Sequence, residues 1–388
     1  MINKKKLVLV LSFLAYFTIN SLFLYKYGSR QNYISVFLIL LLYPAFQFLT
    51  FYFLKITNFK EQVYKMLFFI IVFTFFIFTI VLNNFVDGNT LIVDRWSAID
   101  VSVHAVLNGE YPYSIPNHLG QYSSNLPSLV IIGLPFYLFG DVGFLQSFTF
   151  LFFAYILHKS FTNYKVKLLG ILLLISSIFY LWEVYTKSEL MSNFIFVLGF
   201  IVLWSKKYSK SLFKKSFLLG VITSFIALTR IPVLIPLVIF LFKDFLNTSI
   251  KKKIYFIISS MVVTLFLGFV VLKDCPNIEV LKNYNPLTLQ GNKTPLLISL
   301  ISLLLPFFIS FKVKNEAINT VLYSIPIILI PILGHFLSSW FNYGFEKTIF
   351  NSFADISYFN MVSPLLIYYI IYSFNKEVFK PIEEKGTE

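Results

Sequence analysis

The sequence predicts an all-α, polytopic membrane protein, and three observations carry that reading. Hydrophobic residues make up 57% of the 388 residues and charged residues only 13%, about half the usual charged share of a soluble domain. The mean hydropathy is +0.78 and the chain holds 48 phenylalanines, more apolar surface than a soluble core can absorb. Apolar runs near the ~20 residues needed to cross a bilayer alternate with short lysine clusters.

The first three spans are expected at residues 7–25, 33–54 and 66–83. The opening MINKKK and apolar run carry no small-residue cleavage site, so they read as a retained first span. Lys55, Lys60 and Lys65 mark the linker before the third span as cytoplasmic, which puts residues 84–126 on the outer side. Residues 127–157 are interrupted at Gly140-Asp141 and read as one net crossing. Further spans are expected at 168–182 and 190–204. Residues 217–242, broken at Thr229-Arg230-Ile231-Pro232, read as two short spans, followed by spans at 255–272, 295–311, 317–340 and 361–374. Both termini are then cytoplasmic after about twelve crossings. The whole chain, 1–388, reads as one transmembrane domain.

A net charge of +14 raises the question of nucleic acid. The lysines fall in clusters between apolar runs rather than along one face, so nucleic acid is excluded as a partner and membrane lipids are expected. The lone Cys275 permits no intramolecular disulfide and no thiolate metal site of its own. No H-E-x-x-H, phosphate loop or D-x-D occurs in the outer loops, so neither a metal nor a soluble cofactor is indicated.

The outer loop 84–126 concentrates the chemistry. Trp96, Ile99, Val103, Val106 and Leu107 recur at helical spacing, predicting a short amphipathic helix in the interface with Asp100 and His104 on its polar face. Gly109 ends it, and Tyr111-Pro112-Tyr113 begins an extended aromatic stretch at headgroup level. Asp94, Arg95, Asp100, His104, Glu183, Lys187, Glu189, Arg230 and Asp355 all fall outside or at outer helix ends. Glu183 and Lys187 stand four apart in the order that favours a local ion pair. Arg230 is positioned to snorkel to the headgroups, and His104 and His118 to hydrogen-bond in the interface. A carboxylate beside cations at a membrane surface suits a general base facing a phosphate leaving group.

The run DRWSAIDVSVHAVLNGEYPY with the later YSSNLPSLVIIGLPFYLFG resembles the first outer loop of GT-C-fold integral-membrane glycosyltransferases. The likeness is to the bacterial polyprenyl-phosphate-mannose-dependent mannosyltransferases. Asp94, Leu107, Gly109, Pro112, Tyr113 and Pro127 match the family's pattern, although the loop follows the third span and Asp-Arg replaces a paired acid. The resemblance implies a GT-C-like bundle in the bacterial inner membrane. It implies transfer of a sugar, such as mannose, from a polyprenyl-phosphate donor to a glycan or lipid acceptor. Asp94 would be the catalytic acid, with Asp100 second. Arg95, Lys187 and Arg230 would bind phosphate, and His104, Tyr113, Glu183, Glu189 and Asp355 would contact sugar or acceptor. A polysaccharide polymerase or ligase, or a lipid-linked sugar flippase, is the alternative.

Overall fold

The computed structural model describes residues 4–291, 295–313 and 316–377. Every regular element among them is helical, and the sole strand-like feature is an isolated bridge between Pro116 and Tyr122. Helices α1 (Lys4–Gly28), α2 (Val36–Ile56) and α3 (Glu61–Phe85) precede the loop, which holds α4 (Arg95–Leu107). Then come α5 (Pro127–Leu138), α6 (Phe144–Ser160), α7 (Tyr164–Ile175), α8 (Ile178–Tyr185) and α9 (Leu190–Lys207). Next are α10 (Ser216–Ala227), α11 (Leu234–Asn247) and α12 (Ile250–Leu272). The short α13 (Ile278–Asn283) and α14 (Pro286–Gly291) lead to α15 (Leu296–Lys312), α16 (Ala317–Tyr343) and α17 (Phe345–Phe350). A 3-10 turn, Ile356–Val362, enters α18 (Ser363–Glu377).

Seven described helices are long and apolar enough to span a membrane: α1, α2, α3, α9, α12, α16 and the Ile356–Asn375 segment. The α7–α8 pair, bent by 62°, makes an eighth if counted as one broken span. This is fewer than the twelve crossings expected. The remaining apolar runs are broken into pieces, because proline, glycine and serine interrupt them. α5 has 12 residues, α10 has 12 and α11 has 14, so each is about 18–21 Å long against a ~30 Å hydrocarbon layer. The tail beyond residue 377, expected to be cytoplasmic, lies outside the described residues.

Burial sorts the helices into a centre and a rim. The Ile356–Asn375 segment is 83% buried and α9 72%, whereas α2 and α12 are 17% buried. The rim helices therefore turn side chains such as Phe37, Leu41, Phe266 and Phe269 outward, which only a lipid solvent tolerates.

Breaks inside a membrane bundle expose backbone groups that lipid cannot satisfy. At the α7–α8 break, three buried polar side chains from the first two helices meet that need. Tyr16 Oη donates to the Leu173 carbonyl at 2.7 Å, the Ile178 N–H donates to Asn20 Oδ1 at 2.7 Å, and Gln47 Nε2 donates to Ser176 Oγ at 2.8 Å. At the α10–α11 break, the Ser128 N–H donates to the Leu228 carbonyl at 3.0 Å and the Ile231 N–H to Gln290 Oε1 at 3.1 Å.

The expected amphipathic helix is α4, and its apolar face packs on α5. Ile99 and Val103 are buried with Leu129 and Val130, each such side chain worth roughly 1.5–3 kcal/mol. Gly133 permits this approach, since a Cβ there would lie 2.4 Å from Ile99 Cγ2. Gly109, at φ +71°, follows the helix in the left-handed conformation that ends it. Tyr111 and Tyr113, expected as an extended aromatic stretch, are buried against Val271 near the end of α12.

The lysine-rich linkers gather at one end of the bundle. Lys165 Nζ donates to the Thr57 carbonyl at 2.6 Å, the Tyr164 N–H donates to Glu61, and Lys206 Nζ donates to the Lys159 carbonyl. The candidate site residues meet at the other end. Labelling tests this separation. In a Cys275→Ser background, a membrane-impermeant maleimide should reach Gln121→Cys and Ser209→Cys from opposite faces of the membrane. Labelling of both from one face would contradict the two-ended arrangement.

Candidate functional site

The site is built where three chain breaks converge. The turn before α9 presents Glu189, the α10–α11 break presents Arg230, and the turn before α18 presents Asp355. Arg230 Nη1 donates to Glu189 Oε1 in a pair whose side chains are 5% and 1% exposed. Arg95, at the first position of α4, reaches across the bundle. Its Nη2 donates to Asp355 Oδ2 at 2.6 Å and to Ser357 Oγ at 2.8 Å, with the guanidinium 5.2 Å from the Tyr358 ring centre. Burial alone would raise the Asp355 carboxyl. The Arg95 guanidinium and the Ser357 hydrogen bonds hold it below the usual carboxylate range. Glu183, fully buried, accepts from Asn360 Nδ2 at 2.7 Å.

Arg230 and Asp355 stand on the wall of a cavity of about 470 Å³. Its other polar lining residues are Ser124, Gln290, Ser299, Ser302, His335 and Tyr358, and the rest of its lining comes chiefly from apolar side chains of α11, α15 and α16. Arg230 keeps four of its five N–H donors beyond the one given to Glu189.

A second, polar cavity of about 420 Å³ lies between the end of α3, α4 and the α5–α6 turn. Asn83, Asp87, Trp96, Asp100, Asp141 and Lys187 line it. Lys187 Nζ donates to Asp141 Oδ2 and lies 5.6 Å from the Trp96 ring centre. Its backbone is left-handed, φ +54°, a conformation a lysine adopts only when its surroundings hold it there. Gly143 makes room for the group, because a Cβ there would fall 2.0 Å from Asn83 Oδ1 and 2.7 Å from Lys187 Cδ. Burial, then the nearby Asp141 carboxylate, pushes the Asp100 carboxyl up to about 6, against the pull of His104 and Lys187. Lys187 lines the polar cavity, and two residues on Glu189 grips the arginine of the apolar one.

Two local expectations are corrected. Glu183 and Lys187 do not pair with each other; α8 ends at Tyr185, so the helical spacing that would bring them together is lost before Lys187. Arg230 does not snorkel. It is buried, since Glu189 offers a carboxylate inside the bundle. Asp94 occupies the N-cap position of α4 without capping it. Its Oδ2 accepts from Asn117 Nδ2 at 3.1 Å, and it lines neither cavity. The histidines are hydrogen-bonded, His104 Nδ1 to Tyr137 Oη at 2.8 Å and His118 Nδ1 to Ser97 Oγ at 2.6 Å. Tyr113 belongs to the packed core. Asn83, Asp141 and Asn360 escaped sequence reasoning, though the Gly140-Asp141 interruption marked one of them. Among the described residues no cluster of three or more His, Cys, Asp or Glu could hold a metal.

Comparisons with family models, curated proteins and solved structures find no match to this chain. The fold and site define an all-helical membrane protein with a buried ionic network between an apolar and a polar cavity.

The network has a stability signature. Arg230→Met strands the buried Glu189 and should cost roughly 3–5 kcal/mol. Adding Glu189→Leu should restore most of it, read as the midpoint of thermal unfolding in detergent. A double variant no more stable than Arg230→Met would show that the pair is not what the two residues contribute.

Proposed function

We propose that this chain is a GT-C-type glycosyltransferase of the bacterial inner membrane, transferring a sugar from a polyprenyl-phosphate donor to an acceptor hydroxyl at the outer face. The observation that carries the reading is the apolar cavity with a guanidinium on its wall. It offers hydrocarbon surroundings for an isoprenoid chain and charge-assisted N–H donors for a phosphate. The loop likeness to polyprenyl-phosphate-dependent mannosyltransferases supports the same donor class. The lysine clusters at the opposite end support an outer-face site through the positive-inside rule.

The base is assigned to Asp100. The resemblance ranks Asp94 first, but Asp94 lines neither cavity and is held by Asn117. Asp100 lines the polar cavity, and its carboxyl, pushed up to about 6, is matched to proton acceptance near neutral pH. In the reaction Asp100 takes the acceptor O–H proton. The acceptor oxygen bonds to the anomeric carbon as the bond from that carbon to the phosphate oxygen breaks. The electron pair leaves on polyprenyl phosphate, whose charge Arg230 offsets; Lys187, expected to bind phosphate, is instead paired with Asp141 in the polar cavity. Arg95 orders Asp355 and the turn before α18, and Glu189 orients Arg230.

Broken helices also suit a lipid-linked sugar transporter, and the chemistry separates the two. Asp100→Asn should lower transfer about 10²–10⁴-fold at unchanged protein level, while Asp94→Asn retains measurable turnover. Arg230→Gln should raise the donor KM by about tenfold or more. Because transfer requires ionised Asp100, the wild-type rate should fall as pH drops through about 6, approaching tenfold per unit. Normal turnover in Asp100→Asn, or a flat rate from pH 7 to 5, would overturn the assignment of the base.

A further inference from the structure

A third cavity, of about 700 Å³, lies between α5, α6, α9 and α10 and shares no residue with the other two. The sequence makes it apolar. Phe148 and Phe152 on α6, and Phe196 and Phe200 on α9, stand four apart and so share one face of each helix. Phe152 and Phe196 meet with their ring centres 6.0 Å apart. The two threonines of the lining are already satisfied: Thr149 Oγ1 bonds to the Leu145 carbonyl and to Ser192 Oγ, and Thr229 Oγ1 donates to the Ile226 carbonyl. Phe148 and Leu218 stay exposed at its edge, so the groove opens into the surrounding lipid rather than into water.

One end of the groove is different. Lys207 and Tyr208 line it there, with the Trp204 ring centre 4.5 Å from that of Tyr208. The neighbouring Lys206 Nζ donates to the Lys159 carbonyl, which places this end among the lysine-rich linkers, on the cytoplasmic face by the positive-inside rule. Tryptophan and tyrosine beside lysine are the residues of a headgroup-level belt, where a lysine stem lies along apolar surface and its ammonium reaches the polar layer. Lys207 is the one charged residue among the described lining residues, and no described carboxylate pairs with it. From Lys207 the wall follows α9 to Phe196, roughly 17 Å along the axis. That is close to half of a ~30 Å hydrocarbon layer, the depth of one leaflet.

We infer that this groove is a binding site for an anionic phospholipid of the cytoplasmic leaflet, its phosphate at Lys207 and one acyl chain lying along α9 toward α5. Charge and depth together select this occupant. A zwitterionic headgroup carries its own cation beside the phosphate, whereas an anionic one leaves a net charge for Lys207 to offset. The groove's far end, at Thr229, adjoins Arg230, so a donor lipid with its phosphate on Arg230 would meet this groove from the wrong end. The chain would fill the space beside α5 and α10, which at 12 residues each are too short to cross the bilayer. None of this depends on the transferase reading.

The full-length protein in detergent is titrated with phosphatidylglycerol or with phosphatidylcholine of the same acyl chains, and bound lipid is counted by native mass spectrometry. Phosphatidylglycerol should be held about fivefold more tightly, the contribution of one lysine near the headgroup layer. Lys207→Gln, an exposed position where folding is not at stake, should remove that preference, and Lys210→Gln, outside the groove, should leave it. Phosphatidylglycerol with brominated acyl chains should quench tryptophan fluorescence saturably, and Trp204→Phe should remove most of the quenching. Equal retention of the two lipids, a preference that survives Lys207→Gln, or unchanged quenching in Trp204→Phe would overturn the site. Displacement of phosphatidylglycerol by a polyprenyl phosphate would also overturn it, by giving the groove to the donor. A dimer that retains no lipid would give the same face to a second copy of the chain.

Discussion

Charge inside a helical bundle must be matched within the bundle, and in this protein the match between Arg230 and Glu189 governs the rest of the site. Water that would otherwise solvate the guanidinium is excluded, since both side chains are almost wholly buried. The pair fixes the α10–α11 break against the start of α9. With that junction set, Arg230 stands on the wall of the apolar cavity. Arg95 and Asp355 form a second, less buried pair, with side chains 10% and 36% exposed, that ties α4 to the turn before α18.

The same constraint accounts for the polar side chains that gather at the breaks. A continuous helix satisfies its own backbone and presents only side chains, whereas a broken one exposes N–H and carbonyl groups that the fold must answer. At the α7–α8 break Tyr16, Asn20 and Gln47 answer them, and the junction is purely architectural. At the α10–α11 break Gln290 and Ser128 meet the backbone, which leaves the Arg230 side chain to pair with Glu189. The left-handed backbone of Lys187 is a further local strain, and it accompanies the pairing of its ammonium with Asp141.

Much of this was legible from residues. Apolar length located the seven described helices long enough to span a membrane but also counted shorter pieces such as α5, α10 and α11 as crossings, and the spacing of Trp96, Ile99 and Val103 located α4 with Asp100 and His104 on one face. Partnerships across the fold were not legible, because Arg95 and Asp355 are separated by 260 positions and nothing local couples them. For the same reason the Glu183–Lys187 pair was misread: four-residue spacing has meaning only while the helix continues, and α8 stops between them. Asn83 was invisible for a different reason. An asparagine at the end of an apolar run looks like an ordinary helix terminus, and only its lack of partners distinguishes it.

The proposed reaction moves a sugar from a lipid phosphate to a glycan or lipid acceptor. The most direct measurement is mass spectrometry of lipid-linked and surface glycans from the native host with and without the gene. The account predicts that one sugar disappears from a surface or lipid-linked glycan and that the polyprenyl-phosphate sugar accumulates. An unchanged glycan profile, with no accumulation of any lipid-linked sugar, would contradict it.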